Sequence, residues 1–468
     1  MRVIIENELI AIKMNVKIRS LFTISTSVGF FSERSEEAIE LSIHGLIAVV
    51  IFFIVYLLIV LEKHHRTVIV MLGAVALLIS GVFENQVEAI MRYVDFNTIF
   101  LLMGMMILVS VMKRSGFFQF LGLYMLRITR GNVIYLFLSL GALVALTSAF
   151  LDNVTTVLVI LPITFAICDS LELNPVPFVL NEIFSSNIGG TATIIGDPPN
   201  IMIASAAKLN FMDFIKNVAP AVMLVFVAVE SILLMIYRKE IFKKHLSVDY
   251  QRFDPGRAIE DRKLFNFSII LLTVVIVLFS FQHVLKIESS VIALLIGFVA
   301  LSLLGKDELE DILKDVEWST LLFFFGLFII VGGLEETGIL ERLAEHLVTI
   351  SMGSFKLAEI LILNMSGIAS AFVDNIPYTA TMIPIIEKLP NVHPTVFSNL
   401  HPLWWALSLG ACLGGNGTPI GASANVVGLA LLKRFTKREI SFKEFMKVGS
   451  VVLVLSLVVS SVYMILRY

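Results

Sequence analysis

The chain has little charge and almost no cysteine. Of its 468 residues, 16% are charged and 57% are hydrophobic, with a mean hydropathy of +0.91, whereas soluble domains carry about 25% charged residues. Two cysteines are too few for a disulfide framework or a cysteine-based metal site. A net charge of −3 gives no basic surface for nucleic acid. These shortages predict an all-α polytopic protein of the cell membrane, surrounded by lipid and without a nucleic-acid partner.

Lysine and arginine are missing from two long stretches, residues 131–207 and 389–432. A loop that reaches water or headgroups usually carries charges or interfacial aromatics, so the turns in these stretches are predicted to lie inside the membrane. Polar residues and glycines nevertheless interrupt both stretches. A carboxylate at bilayer depth is costly, which makes it a candidate functional group that faces the protein interior.

Two polar motifs in the first stretch recur in the second half of the chain. Residues 148–156 (SAFLDNVTT) are followed 222 positions later by 370–375 (SAFVDN). Residues 187–200 (NIGGTATIIGDPPN) are followed 225 positions later by 414–425 (GGNGTPIGASAN), counted from the paired glycines. Interrupted apolar segments at matching places in two halves are the pattern that marks the binding site of a secondary transporter.

The apolar runs predict two repeats with about ten spans, two re-entrant hairpins and two broken helices. Repeat 1 is predicted to contain scaffold spans in 43–112, an interfacial helix at 115–130, a hairpin at 132–169, a broken helix at 176–208 and a span at 216–237. Repeat 2 is predicted to contain the same elements at 265–333, 337–352, 355–390, 397–432 and 442–466, within residues 265–468. An N-terminal extension, 1–42, precedes them, and a basic cytoplasmic linker, 238–264, joins them.

Each repeat then makes an odd number of crossings, so the two repeats are predicted to be inverted. The positive-inside rule agrees, because the basic residues fall on one side in this scheme. They are Lys63, Arg66, Lys113, Arg114, Arg127, Arg130, the linker, Lys433, Arg434, Lys437 and Arg438. This side is predicted to be cytoplasmic, with both chain termini outside.

The predicted site lies where the two hairpin tips meet the two broken helices near the midplane. Asp152 and Asp374 are paired carboxylates that can bind Na⁺ or a proton as coupling ion, whereas Asp197 has Ala422 at its matching position. The predicted ion- and substrate-binding residues are Asp152, Asn153, Thr155, Gly189, Gly190, Thr191, Thr193, Asp197, Asn200, Asp374, Asn375, Gly414, Gly415, Asn416, Thr418 and Asn425, with a possible Na⁺ at Asp152, Asn153, Asp374 and Asn375. An alternative is that the two aspartates only cap the second hairpin arms. No other cofactor is predicted.

Several functions fit such a site. Because the core stretches lack Arg and Lys, an anionic substrate would depend on helix N-termini, amides and bound cations. A secondary active ion transporter is the leading interpretation, and an ion channel or a Na⁺/H⁺ antiporter without a separate anion are the alternatives. An intramembrane aspartyl protease is disfavoured, because residues 194–197 (IIGD) lack the first glycine of a Gly-x-Gly-Asp signature. The chain is therefore not predicted to be an enzyme.

At these motifs the sequence resembles the ion transporter superfamily, whose citrate transporter-like fold includes arsenite permeases, NhaD-type sodium/proton antiporters and sodium-coupled dicarboxylate symporters. The runs LDNVTTVLVILPIT, NIGGTATIIGDPPN, NIPYTATMIPI and GACLGGNGTPIGASANVV are most similar to the branch of the melanosomal P protein and its prokaryotic relatives. The resemblance covers about residues 43–466.

The resemblance implies an elevator-type carrier that is usually a homodimer. The hairpins and broken helices would form the mobile domain, and the first three spans of each repeat the scaffold. The dicarboxylate branch has Ser-Asn-Thr at each hairpin tip, whereas this chain has LDNVT and VDNIP. The resemblance therefore leaves the substrate open.

Overall fold

The structure, a computed structural model, describes residues 43–61, 63–130, 132–241, 254–304 and 306–468. The predicted N-terminal extension, 1–42, and the middle of the predicted linker, 242–253, lie outside the described residues. All regular secondary structure in the described ranges is helical, which confirms the predicted all-α class.

Repeat 1 contains twelve described helices. They are α1 (Ile43–Val60), α2 (Arg66–Ile79), α3 (Gln86–Tyr93), α4 (Phe96–Arg114), α5 (Phe117–Ile128), α6 (Val133–Ser148), α7 (Asn153–Ser170), α8 (Pro175–Thr191), α9 (Pro198–Ala207), α10 (Phe211–Asn217), α11 (Ala219–Ile236) and α12 (Arg238–Ile241). The predicted hairpin corresponds to α6 and α7, and the predicted broken helix to α8 and α9.

A short 3₁₀ turn at Pro255–Ala258 precedes repeat 2. The described helices that follow are α13 (Arg262–Leu285), α14 (Ser289–Ser302), α15 (Lys306–Asp315), α16 (Trp318–Glu336), α17 (Ile339–Ile350), α18 (Phe355–Ser370), α19 (Asn375–Val392), α20 (His401–Gly414), α21 (Ser423–Thr436) and α22 (Phe442–Arg467). The second hairpin is α18 and α19, and the second broken helix is α20 and α21.

The duplication seen in the motifs extends to the helix boundaries. Each of the four helices α4 to α7 begins and ends 222 residues before its counterpart among α16 to α19. The local signals repeat as well, since a glycine with positive φ precedes both α5 (Gly116, φ 80°) and α17 (Gly338, φ 70°). The backbone of the second half therefore follows that of the first.

Three short helices, α3, α10 and α15, have no counterpart among the predicted elements. Each is polar or only 7 to 10 residues long, so a search for apolar spans does not find it. The charged helix α15 is joined to α4 by an ion pair between Arg114 and Asp311 (3.6 Å). The ammonium group of Lys314, with Arg114 as a weaker contributor, lowers the pKa of Asp311 on this exposed surface.

Six described helices are long and apolar enough to cross a membrane on their own. They are α4, α7, α11, α13, α16 and α22, and a bent pair, α17 with α18 at 113°, brings the number to seven. Other predicted spans correspond to shorter apolar helices such as α2 and α14, each of 14 residues. The total of about ten spans therefore stays a prediction.

The centre of the protein is occupied by the first arms of the two broken helices. Residues 176–191 of α8 and 402–414 of α20 are all buried. By contrast, α13 and α22 expose large apolar side chains along their length, among them Phe281 and Val458. Exposed apolar surface of this extent is what a lipid-facing helix presents.

The scaffold helices pair across the repeats. Helix α4 lies against α14 at Gly104 and Gly297, where a Cβ atom on Gly104 would stand 2.4 Å from the backbone of Ala293. Helix α2 lies against α16 in the same way, with Gly326 facing Val70. Each scaffold pair thus contains one helix from each repeat, so the two repeats pack directly against each other in the scaffold.

The two broken helices run in opposite directions. At the start of α8, the N-cap Asn174 accepts a hydrogen bond from Arg438, which follows the end of α21 (3.0 Å). After the end of α9, Phe214 packs on Trp405 near the start of α20, with ring centroids 5.3 Å apart. The start of each broken helix therefore lies beside the end of the other, as in the predicted inverted repeats.

Candidate functional site

The two hairpin tips are fixed to the broken helices of their own repeats by matching bonds. In repeat 1, Ser148 Oγ donates to the carbonyl of Ser186 (2.7 Å). In repeat 2, Ser370 Oγ donates to the carbonyl of Ala411 (2.6 Å). The hydroxyls of Thr193 and Thr418 donate in the same way to the carbonyls that follow these serines. Tip and break therefore form one unit in each repeat.

The breaks at 192–197 and 415–422 are stabilised from inside by two asparagines. Asn200 Nδ2 donates to two carbonyls of the first break at 2.9 and 3.0 Å. Asn425 Nδ2 donates to two carbonyls of the second at 2.7 and 2.8 Å. A helix break in the membrane is tolerated only where its backbone groups find partners or line a cavity. These two predicted ligands therefore hold the backbone in this structure.

Both tip aspartates cap the helix that follows them. Asp152 Oδ1 accepts from the amide of Thr155 (2.9 Å), and Asp374 Oδ1 accepts from the amide of Ile376 (3.1 Å). Capping, the alternative interpretation from the sequence, is thus present in both repeats. It uses one oxygen of each carboxylate and leaves the other oxygen to a second partner.

The second partner of Asp374 is an arginine from the scaffold. Arg66 Nη1 donates to Asp374 Oδ2 (2.9 Å) and to Ser423 Oγ (2.6 Å). Its guanidinium carbon also lies 5.1 Å from the ring centroid of Phe323. The sequence places Arg66 among the cytoplasmic loop charges, whereas the structure places it at the first residue of α2, in contact with the second hairpin tip.

Asp197 has a different environment from either tip aspartate. Its side chain is 1% exposed and accepts two contacts from Asn375 Nδ2, at 3.2 and 3.1 Å. It is the N-cap residue of α9, but it makes no capping bond. Pro199 supplies no N–H at the second helical position, and the amide of Asn200 at the third donates to the backbone carbonyl of Asp197 instead (2.9 Å). Among the described residues, no lysine or arginine forms an ion pair with Asp197.

An amide network joins the two repeats at the centre. Asn153 Nδ2 donates to Asn187 Oδ1 (3.0 Å). Asn187 Nδ2 donates in turn to Asn416 Oδ1 (2.8 Å) and Asn425 Oδ1 (2.9 Å). All four side chains are at most 5% exposed. The first tip is therefore connected to the second break through Asn187.

A cavity of about 280 Å³ lies between the two tips. It is bordered by Asp152, Asn153, Asp197, Asn375, Glu317, Arg66 and Ser423, together with apolar residues of α4, α7 and α21. A second cavity, of about 340 Å³, lies on the other side of Arg66 and is lined by Asp374, Tyr56 and His65. The tip carboxylates thus face space large enough for a small ion and several waters.

The remaining predicted residues hold the backbone. Thr191 Oγ1 donates to the carbonyl of Asn187 (2.7 Å). Close packing requires the glycines, since a Cβ atom on Gly189 would stand 2.1 Å from the carbonyl of Ala145 and one on Gly414 would stand 2.6 Å from that of Gly367. The predicted residues in this group are Gly189, Gly190, Thr191, Thr193, Gly414, Gly415 and Thr418, whereas Thr155 donates its amide to Asp152 as described above.

Four residues of the site were not among the predicted ligands. Asn187 begins the motif at 187–200, and its amide side chain is of a type that the sequence could have indicated as a ligand. Ser423 lies in the motif at 414–425. Arg66 and Glu317 come from scaffold segments far along the chain, and only the packing of α2 and α16 against the tips brings them to the cavity. Nothing in the sequence around Arg66 or Glu317 indicates that either residue belongs to the site.

Inverted helical repeats with hairpin tips and helix breaks around a polar cavity are the architecture of a secondary membrane transporter. Comparison with known proteins agrees. The citrate transporter family (CitMHS) matches residues 56–410, and the chain belongs to this family. It is a multi-pass protein of the plasma membrane.

Individual relatives support the same class. The chain is 41% identical over 401 residues to an uncharacterized transporter of Mycobacterium tuberculosis, covering 85% of this chain and 92% of the relative. It is 32% identical over 478 residues to the P protein of Mus musculus, covering 85% of this chain and 57% of that protein. The predicted resemblance to the P protein branch is confirmed.

Solved structures share the fold at low sequence identity. The YdaH transporter of Alcanivorax borkumensis aligns with a TM-score of 0.56 at 12% identity, covering 90% of this chain and 97% of that one. MtrF of Neisseria gonorrhoeae, described as illuminating a class of antimetabolite efflux pumps, aligns with a TM-score of 0.56 at 11% identity, covering 91% and 94%. These likenesses concern the fold alone.

Proposed function

We propose that this chain is a secondary active transporter that moves a small ion through the membrane by alternating access, coupled to Na⁺ or H⁺. Family membership supports the transporter class. The observation that carries the coupling proposal is Asp197, a carboxyl group that is 1% exposed and meets the amide of Asn375 and the thiol of Cys412 but no basic side chain among the described residues. A bare carboxylate in such a place is costly, so a bound proton or Na⁺ neutralises it.

The surroundings of Asp197 suit a hard cation. Asp152 and Glu317 line the same cavity, and Asn153 and Asn375 also border it. Carboxylate and carbonyl oxygens are the donors that transporters offer to Na⁺ or protons at broken helices. The cavity holds three carboxyl groups and one arginine, Arg66, which favours a cation as the coupling species.

The mobile unit in this proposal is the hairpins with the broken helices, α6 to α9 and α18 to α21. The serine, threonine and asparagine bonds described above tie each tip to its break, so the site moves as one body. The scaffold touches this body at the site through Arg66 and through Tyr56, whose hydroxyl donates to the carbonyl of Pro377 (2.6 Å). Away from the site, Lys388 of α19 pairs with Glu335 of α16 (3.3 Å) and Asn97 of α4 contacts Ser205 of α9 (3.3 Å). An elevator-type movement breaks and re-forms these polar contacts. A homodimer through the scaffold belongs to the same proposal.

The test is gradient-driven flux in proteoliposomes. Labelled citrate, arsenite and ²²Na⁺ are each offered under an imposed Na⁺ gradient or an imposed pH gradient. We expect one of them to accumulate saturably with one gradient and to lose that dependence in Asp197→Asn. Asp169→Asn is the matched control, because it changes an exposed carboxylate at the far end of α7. Currents of single-channel size, or flux indifferent to both gradients, would contradict a coupled carrier.

A further inference from the structure

Arg66 connects two parts of the protein that must move relative to each other in the proposed mechanism. It begins α2, and the aromatic ring it faces, Phe323, belongs to α16, so both lie in the scaffold. Its hydrogen-bond partners, Asp374 and Ser423, lie at the second hairpin tip and at the start of α21. The ion pair therefore crosses the boundary between scaffold and mobile unit.

This contact occupies the oxygen of Asp374 that an ion would need. Oδ1 is used by the amide of Ile376, and Oδ2 accepts from Arg66 Nη1 and from Ser423 Oγ (3.2 Å). The Asp374 side chain is 15% exposed, so water contributes little further solvation. A cation can coordinate Oδ2 only by displacing the guanidinium group.

The first hairpin tip, at Asp152, has no equivalent of this arrangement. The residue that begins α14, the counterpart of α2, is Ser289, which carries no charge. In the part of the chain that the structure describes, no arginine or lysine forms an ion pair with Asp152. Arginine pairing is therefore a property of one tip and not of the duplicated fold.

We propose that Arg66 is a tethered competitor of the coupling cation at Asp374, a role that rests on the proposed function. Without the cation, the guanidinium neutralises Asp374 and holds the mobile unit on the scaffold. When Na⁺ or a proton reaches Oδ2, Arg66 leaves, the ionic contact between the scaffold and the second tip is lost, and the weaker neutral contact of Tyr56 remains at the site, so the unit can move with its cation. The contact between Arg66 and Asp374 therefore keeps the mobile unit in place until a cation binds.

The surroundings of Arg66 allow this exchange. Arginine keeps its proton under all physiological conditions, so its release depends on a competing cation and not on its own deprotonation. Glu317 lines the same cavity from the start of α16 and accepts from Thr320 Oγ1 (2.9 Å). Because Glu317 belongs to the scaffold, it offers the displaced guanidinium a carboxylate that does not bridge the boundary.

The test compares the cation dependence of flux in three variants of the full chain. The measured quantity is the proteoliposome flux of whichever labelled ion accumulates in the test above. It is titrated with Na⁺ at fixed pH, and with pH at fixed Na⁺, for the wild type, Arg66→Ala, Arg66→Lys and Lys63→Ala. Lys63 is an exposed basic residue three positions away, so Lys63→Ala removes the same charge without touching the tip. We expect the half-saturating cation concentration to fall about tenfold in Arg66→Ala, as loss of a partly exposed competing charge predicts. Efflux into cation-free buffer should rise in the same variant.

The outcomes separate the two proposals. Arg66→Lys should return the half-saturation toward the wild-type value, which shows that the charge and not the packing is responsible. An Arg66→Ala protein with a lower maximal rate but unchanged half-saturation and no added leak would overturn the competitor role and leave the coupled carrier intact. A wild type without Na⁺ or pH dependence would overturn the proposed function first.

Discussion

The two hairpin tips have nearly the same sequence and backbone bonds but opposite electrostatic settings. Asp374 is paired with Arg66, whereas Asp152 faces a cavity that also contains the carboxyl groups of Asp197 and Glu317. The comparison separates two kinds of position. Residues shared by the repeats build the tips and the breaks, and residues that differ between them determine what each tip can bind.

The pairs of matching positions show this division. Ser148 and Ser370 make the same bond, as do Thr193 with Thr418 and Asn200 with Asn425. The pairs that differ include Asp197 with Ala422, Asn187 with Cys412 and Arg66 with Ser289, where repeat 1 has the carboxyl, amide or guanidinium group. They also include Pro198 with Ser423, where repeat 2 has the hydroxyl that Arg66 contacts. An inverted duplication can thus keep its architecture while its two halves carry different chemistry.

The largest effect expected from exchanging such a pair is at Asn187. Asn187→Cys gives the first broken helix the residue of the second and removes the partner of Asn153, Asn416 and Asn425. Because these amides are buried, the variant should lose about 3 kcal/mol of stability or more. The measurement is the thermal unfolding midpoint of the purified protein in detergent.

The matched control is Cys412→Ala. Its thiol lies 3.5 Å from Asn200 Oδ1, to which Ser408 already donates at 2.6 Å, and it also contacts the Asp197 carboxyl group. We expect a loss of about 1 kcal/mol, as for a small buried group. Equal losses for the two variants would mean that the amide network is not specific to repeat 1.

Neutralising the two tip aspartates should affect stability unequally. Asp374→Asn leaves Arg66 without its carboxylate and should cost about 2 kcal/mol, between the values for exposed and buried ion pairs. Asp152→Asn keeps a good capping residue and removes one of the neighbouring carboxyl groups, so stability should be unchanged or slightly higher. The unfolding midpoint of each purified variant is measured in detergent without Na⁺. A loss of equal size in both variants would contradict the electrostatic difference between the tips.

Much of this site can be predicted from the sequence because its motifs occur in both halves of the chain. The duplicated motifs locate the tips, the breaks and the cavity residues Asp152, Asn153, Asp197 and Asn375. Composition and span length indicate the helical membrane fold, and the missing basic residues indicate the buried turns. These features are local, and a local pattern is what a single sequence can show.

The rest depends on packing between distant segments. Arg66 looks like a loop charge in the sequence because its partners are 308 and 357 positions away. The sequence predicts that carbonyls of the breaks are free to bind an ion. In the structure, the side chains of Asn200 and Asn425 donate hydrogen bonds to these carbonyls. Short polar helices such as α3 and α15 carry no span signal at all. Which of two equivalent aspartates meets an arginine cannot be read from either motif.

The smallest effect expected from comparing the repeats concerns the glycines that begin α5 and α17. Gly116 and Gly338 both have positive φ, 80° and 70°, so alanine is strained at either position by about 1 kcal/mol. Their surroundings differ, since a Cβ atom on Gly116 would stand 1.9 Å from the carbonyl of Ala258, whereas the nearest atom to one on Gly338 is the end of the Glu341 side chain at 4.0 Å. Gly338→Ala should therefore lower the unfolding free energy by the strain alone, about 1 kcal/mol. Gly116→Ala should lower it by at least another 1 kcal/mol, because the turn before α13 must move. Equal shifts of the two unfolding midpoints would show that the 3₁₀ turn at Pro255–Ala258 yields freely and does not hold α5 against repeat 2.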